Sequence, residues 1–105
     1  MNDFAQLDPI IHPLNRFKIC SILNTYGATE DTETHMQFSV LRLKTGLSDA
    51  TLSKQLSILE EKNYISRFRE YGSSRKKDIV WITLTQQGKK AFDAHLAALK
   101  ELSGL

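Results

Sequence analysis

Between Leu47 and Thr85, in the stretch LSDATLSKQLSILEEKNYISRFREYGSSRKKDIVWITLT, the spacing of apolar residues changes period. Leu52, Leu56 and Leu59 recur every three or four residues, and Ile58 widens the stripe, which predicts an amphipathic helix over Asp49 to Lys62. Ser48 supplies a capping oxygen, Asp49 places negative charge at the positive end of the helix dipole, and Asn63 suits a left-handed stop. From Tyr64 the period is two. Tyr64, Ser66, Phe68 and Glu70 fall on one face and Ile65, Arg67, Arg69 and Tyr71 on the other. GSSRKKD reads as a loop, and the β-branched and aromatic run IVWITLT as a second strand. An isolated two-stranded hairpin is marginal in water, so this one must pack on helices.

The flanking segments supply them. Pro13 fits the first turn of a helix, where a missing amide proton costs nothing. Leu14, Phe17, Cys20, Ile22 and Leu23 extend that helix to about Thr25, before Gly27. Residues 1–11, punctuated by Pro9, are expected to be irregular or a short turn. Ala28 to Thr34 is a polar connection with three acids. Met36, Val40, Leu41 and Leu43 mark a second short helix, with Gly46 as its stop. Thr85 caps a last helix, QQGKKAFDAHLAALKEL. Its stripe of Ala91, His95, Ala98 and Leu102, flanked by Phe92, Leu96 and Leu99, is broader than a small core needs and suggests a partner subunit. Gly88 reads as a soft spot in that helix. At 105 residues, the chain is expected to form one domain over 1–105.

The predicted order is therefore three helices, two strands and a helix: mainly α with a β-hairpin. A short helix, a tight turn and a second amphipathic helix form a helix-turn-helix, and the hairpin that follows narrows this to a winged helix. With Leu52, Leu56 and Leu59 facing inward, Thr51, Lys54, Gln55 and Ser57 face outward. Small or flexible hydrogen-bonding side chains of this kind can enter a major groove. Charge is concentrated beside them. Six basic residues and one acid between Lys62 and Lys77 give +5, against +2 for the whole chain, leaving −3 elsewhere. A basic face of this kind attracts phosphates. Lys54, Arg75, Lys76 and Lys77 are expected on the backbone, and Thr51, Gln55 and Ser53 as base readers.

Three segments, LDPIIHPLNRFKICSIL, LSDATLSKQLSILEEKNYI and ITLTQQGKKAFDAHLAAL, carry a resemblance to compact winged-helix regulators related to the multiple-antibiotic-resistance regulator (MarR-like) family, over Leu7 to Leu102. The resemblance implies DNA contacts from Ser48, Thr51, Ser53, Lys54 and Gln55. It implies further contacts near the minor groove from a wing carrying Arg67, Arg69, Arg75, Lys76 and Lys77. It also implies a two-fold dimer built by the first and last helices, here through Leu14, Phe17, Phe92, His95, Leu96, Leu99 and Leu102. Two recognition helices about one DNA turn apart would match an inverted repeat in double-stranded DNA. Many relatives carry Arg and Pro near the wing tip; this chain has GSSRKKD instead.

Other chemistries find little support. There is no glycine-rich phosphate loop, HExxH motif, close cysteine pair or catalytic triad, so no enzyme activity, metal or cofactor is expected. His12, His35 and His95 are widely spaced and lack cysteine partners; packing explains them best. Cys20, beside Ile19 and near Ile22, reads as a buried thiol. A single cysteine, no bilayer-length apolar run and a polar N-terminus predict a soluble cytoplasmic protein without membrane contacts. The leading expectation is a dimeric transcriptional repressor with room for a small-molecule effector between core and dimer helices. The competing ones are a protein-interaction winged helix and an RNA-binding domain.

Overall fold

The computed structural model describes residues 6–104. In chain order it contains α1 (Leu14–Thr25), a 3-10 turn (Glu30–Thr32), β1 (Met36–Gln37), α2 (Phe38–Thr45), α3 (Asp49–Glu61), β2 (Ile65–Glu70), β3 (Ile79–Leu84) and α4 (Gln86–Ser103). The part of the N-terminal segment before Gln6 lies outside the described residues.

The stripe on α3 is buried as its spacing requires: Leu52, Leu56 and Leu59 are wholly inaccessible, against Ile19, Cys20 and Leu23 of α1, Leu41 of α2 and Ile82 and Leu84 of β3. Full burial of each leucine contributes about 2 kcal/mol. Ser48 caps α3, its hydroxyl oxygen accepting from the Thr51 amide at 3.2 Å. Gly46 ends α2 in the left-handed region (φ 74°), and Asn63 does the same after α3 (φ 64°). The hairpin is antiparallel and in register from Ile65↔Leu84 to Glu70↔Ile79.

Two features differ from the sequence reading. Met36 and Gln37 do not begin α2; they pair with Ile82 and Trp81, making a three-stranded sheet of order β1-β3-β2. Two residues are too few for an alternating pattern to register, and their pairing depends on a strand 45 residues later. The second is Gly88, which is no soft spot. A Cβ there would lie 2.0 Å from the Tyr64 carbonyl oxygen and 2.7 Å from its carbon. Only glycine lets the first turn of α4 approach the chain between α3 and β2 so closely. Thr85 closes the same junction: its amide donates to Tyr64 O (3.0 Å), and its hydroxyl donates to Asn63 O (2.6 Å) and accepts from Gly88 N (2.9 Å).

The segment before α1 is ordered by Asp8. Its Oδ1 accepts from the Ile10 and Ile11 amides (2.8 and 3.3 Å), the turn that an aspartate before proline favours. Its Oδ2 accepts from the Tyr64 hydroxyl (2.6 Å), and its amide donates to Nδ1 of His95 on α4 (2.8 Å). Ile11 is thereby fully buried. One aspartate thus ties the N-terminal segment both to α4 and to the exit of α3.

Candidate nucleic-acid interface

α3 presents its polar side beside the hairpin. Ser53 and Lys54 are exposed, and Lys54 has no hydrogen-bond or ion-pair partner among the described residues. Ser53 faces the hairpin. With Asp49, Phe38, Arg67, Arg69 and Val80 it lines a cleft of about 530 Å³ between α3 and the sheet. Ser48 and Thr51 are coupled, since the Ser48 hydroxyl both caps the helix and meets the Thr51 hydroxyl at 3.0 Å. Thr51 and Gln55 are half-buried on the opposite shoulder of α3. The Gln55 carbonyl oxygen is held by the Arg16 guanidinium of α1 at 2.7 Å.

The basic residues of the hairpin divide into two groups. Arg67 points onto α3, donating to Glu60 at 2.9 Å and to the Ser57 hydroxyl at 3.1 Å. Its side chain is only 25% exposed, so it fastens the hairpin to the helix. Arg69 pairs with Asp78 (3.4 Å), whose other oxygen accepts from the Gly72 amide and shapes the loop. Arg75, Lys76 and Lys77 are exposed, and their side chains have no hydrogen-bond or ion-pair partner among the described residues. Within α3 and the hairpin, unpaired positive charge therefore lies at the hairpin tip, at Lys54 and at Lys62 just after α3, where long cations can reach phosphates without first breaking an internal pair; Lys90 and Lys100 on α4 are likewise exposed and without a side-chain partner among the described residues. Exposed aromatic surface accompanies it: Phe68 is 49% and Tyr71 78% exposed.

The residues expected at a dimer interface also divide. Leu14 and Leu102 are exposed, and Phe17, Leu96 and Leu99 are half-buried. Phe92 and His95 are buried within the chain itself, Phe17 packing on both rings at 5.7 and 5.8 Å. Burial, then the neighbouring His12, hold the His95 imidazole below its usual pKa, although Asp8 opposes this. Cys20 is buried, and desolvation pushes its thiol up to about 12, well away from thiolate reactivity. Among the described residues no three His, Cys, Asp or Glu side chains are grouped to hold a metal ion, and no helix is long and apolar enough to cross a membrane.

Arg16, Asp8, Tyr64 and Glu60 also shape this surface: Arg16 holds Gln55, Glu60 holds Arg67, and Asp8 accepts from Tyr64. The Asp8–Pro9 turn was legible locally. The partners of the other three are set by packing.

A capped amphipathic helix, α3, seated against an antiparallel hairpin with a basic tip is the architecture of a known domain, and residues 16–103 match the family described as winged helix DNA-binding domain. The chain belongs to that family. Winged-helix DNA-binding domains are non-catalytic modules. Among solved structures, the chain is similar to that titled "Crystal structure of NadR in complex with 4-hydroxyphenylacetate", with a TM-score of 0.66 and 19% identity. The match covers 91% of this chain and 64% of that one, and at this identity the likeness is one of fold. No curated protein matches the chain.

Proposed function

We propose that this winged-helix domain is a MarR-like, sequence-specific transcriptional regulator. In this reading two copies bind an inverted repeat in double-stranded DNA and repress by covering promoter sequence. The observation that carries the reading is the placement of unpaired cations. Among the described residues Lys54 on α3 and Arg75, Lys76 and Lys77 at the hairpin tip have no side-chain partner, while Arg67 and Arg69 are internally paired. In this arrangement α3 enters the major groove. Lys54 and the tip cations neutralise phosphates and fix register, and Ser48, Thr51, Ser53 and Gln55 face base edges. Arg67 and Arg69 act by holding the wing in place.

The dimer in this reading uses α1 and α4. Leu14 and Leu102 are 67% and 68% exposed, and Leu96 and Leu99 add half-buried apolar surface. Phe17, Phe92 and His95 support that surface from behind. A small effector acting between core and dimer helices is part of the proposal; 4-hydroxyphenylacetate, the ligand named for NadR, is the first probe to add.

Selection of bound duplexes from random DNA, followed by salt titration on the selected site and a scrambled control, tests the reading. An inverted repeat preferred over the scramble by at least roughly 10³-fold is expected. Uniform, weak, salt-sensitive binding to every duplex would overturn sequence-specific regulation. Binding of structured RNA in preference to DNA, or of an acidic protein with no nucleic-acid binding, would replace it.

A further inference from the structure

The outer face of the sheet takes no part in groove reading by α3. Side chains alternate across a strand. Ile65, Ile82 and Leu84 are buried in the core and Arg67 reaches Glu60 on α3, so Ser66, Phe68, Glu70, Ile79 and Trp81 lie on the opposite face. At the root of that face Thr83 is covered by the segment before β1, its hydroxyl donating to the Thr34 carbonyl (2.8 Å). Further out the face opens. Phe68 and Trp81 stand opposite each other in the ladder, and Phe68 is 49% exposed. The exposed His35, just before β1, meets the Phe68 ring edge-on at 5.0 Å. The Trp81 indole is held in place by its Nε1, which donates to Glu70 (2.9 Å).

Cations border these rings. The next pair along the ladder, Glu70 and Ile79, lines a cleft of about 690 Å³ together with Tyr71, Lys76 and Lys77 at the hairpin tip. Tyr71 is 78% exposed, and neither lysine has a side-chain partner among the described residues. Rings alone would suit an apolar partner, but the unpaired lysines beside them would then have no role. Rings with cations beside them suit a ligand in which flat groups alternate with negative charge, which is the chemistry of an unpaired nucleic-acid strand. A duplex does not meet that description, because its bases are stacked on one another and offer no free π-face.

We propose that the outer sheet face is a second nucleic-acid site, for single strands: unpaired bases stack on Phe68 and Trp81, and the flanking phosphates meet Lys76 and Lys77. Glu70 serves the site by fixing the plane of the Trp81 indole. The site goes beyond the proposed function and does not depend on α3 reading a groove. Every base has a π-face, so this site takes single strands with little sequence preference, whereas α3 selects a sequence.

Trp81 is the single tryptophan of the chain, so its emission reports the site directly. Labelled oligothymidylate, oligouridylate and an abasic oligomer of the same length, which keeps the phosphates and lacks the bases, are titrated by fluorescence anisotropy. A base-bearing strand should bind at least roughly 10-fold tighter than the abasic one and quench Trp81 at saturation; the tighter of the two base-bearing strands distinguishes DNA from RNA as the source. Phe68→Ala should weaken that binding by roughly 5- to 100-fold and leave affinity for the abasic strand and for the selected duplex unchanged.

No binding, or equal affinity for abasic and base-bearing strands, would overturn the inference, since phosphates alone would then account for any strand that is held. So would Trp81 emission unmoved at saturation, or a folded Phe68→Ala that binds as the wild type does. Self-association that is lost in Phe68→Ala, seen by sedimentation, would assign the face to a second copy of the chain instead. Should Phe68→Ala fail to fold, as judged by circular dichroism, the abasic comparison and the Trp81 signal of the wild type decide. Failure to enrich a duplex motif would defeat the reading of α3 and leave these results standing.

Discussion

Replacing Gly88 with alanine reverses the sign that helix propensity alone would give. In an exposed helix interior alanine is favoured over glycine by about 1 kcal/mol. At Gly88 the added methyl would stand 2.0, 2.7 and 2.9 Å from the O, C and Cα atoms of Tyr64. All three belong to the backbone, so no side chain can swing away. The Tyr64 carbonyl is also held by the Thr85 amide at 3.0 Å, and Thr85 caps the same helix, so relief requires the first turn of α4 to withdraw from its own cap. Overpacking against an interior that yields only partly costs about 3 kcal/mol, the upper end of its usual range. Set against the propensity gain, the net destabilisation is about 2 kcal/mol. Urea unfolding followed by circular dichroism, at one fixed protein concentration because dimerisation would shift the midpoint, should show a midpoint about 1 M lower with the slope unchanged. A Gly88→Ala protein as stable as the wild type, or more so, would refute the close approach of α4 to Tyr64.

The remaining predictions follow from the partners of individual side chains. Arg75→Ala with Lys76→Ala should lower affinity for all duplexes and flatten the slope of log K against log salt by about 2, whereas Arg67→Ala should leave that slope unchanged and lower the urea midpoint instead. Tyr64→Phe removes the hydroxyl that donates to Asp8 and should cost about 1.5 kcal/mol in urea unfolding, since the acceptor is a carboxylate. The His95 imidazole is held below its ordinary value of 6.5 in the fold, so the unfolded chain binds the extra proton first. The stability this confers is complete above pH 6.5 and declines as pH falls below it. Protonation at Nδ1 would also set two donors, the imidazole N–H and the Asp8 amide, against each other. Between pH 7 and 5 the wild type should lose more stability than His95→Asn, and equal losses would show that another group titrates.

Much of the architecture is written in short-range pattern. The 3-4 spacing of Leu52, Leu56 and Leu59 yields α3 within one residue of the expected end. The change to period two at Tyr64 yields a hairpin whose strands pair as IVWITLT and its partner require. Ser48, Gly46, Asn63 and Thr85 stand where helices begin and stop. These are properties of neighbours within about a turn, where periodicity and capping act. The cluster of charge from Lys62 to Lys77 was equally plain as composition. That Arg67 would be tied to Glu60, seven residues earlier on another element, was not.

What the sequence by itself determined is the kind of the four helices and of the two hairpin strands, their bounds to about two residues, and the buried stripe of α3, because backbone geometry makes apolar spacing sufficient for that; β1 and the exposure of Leu14, Val40, Leu43 and Leu102 were not among these. Which polar groups remain free was decided by the tertiary structure. The Gln55 oxygen is taken by an arginine 39 residues away, and His95 meets the amide of a residue 87 positions earlier. Gly88 faces Tyr64 of the chain leaving α3. Hydrogen bonds and close approaches of this kind depend on the orientation of whole elements. No local pattern encodes that orientation until the common core of α1, α3, α4 and the sheet has packed.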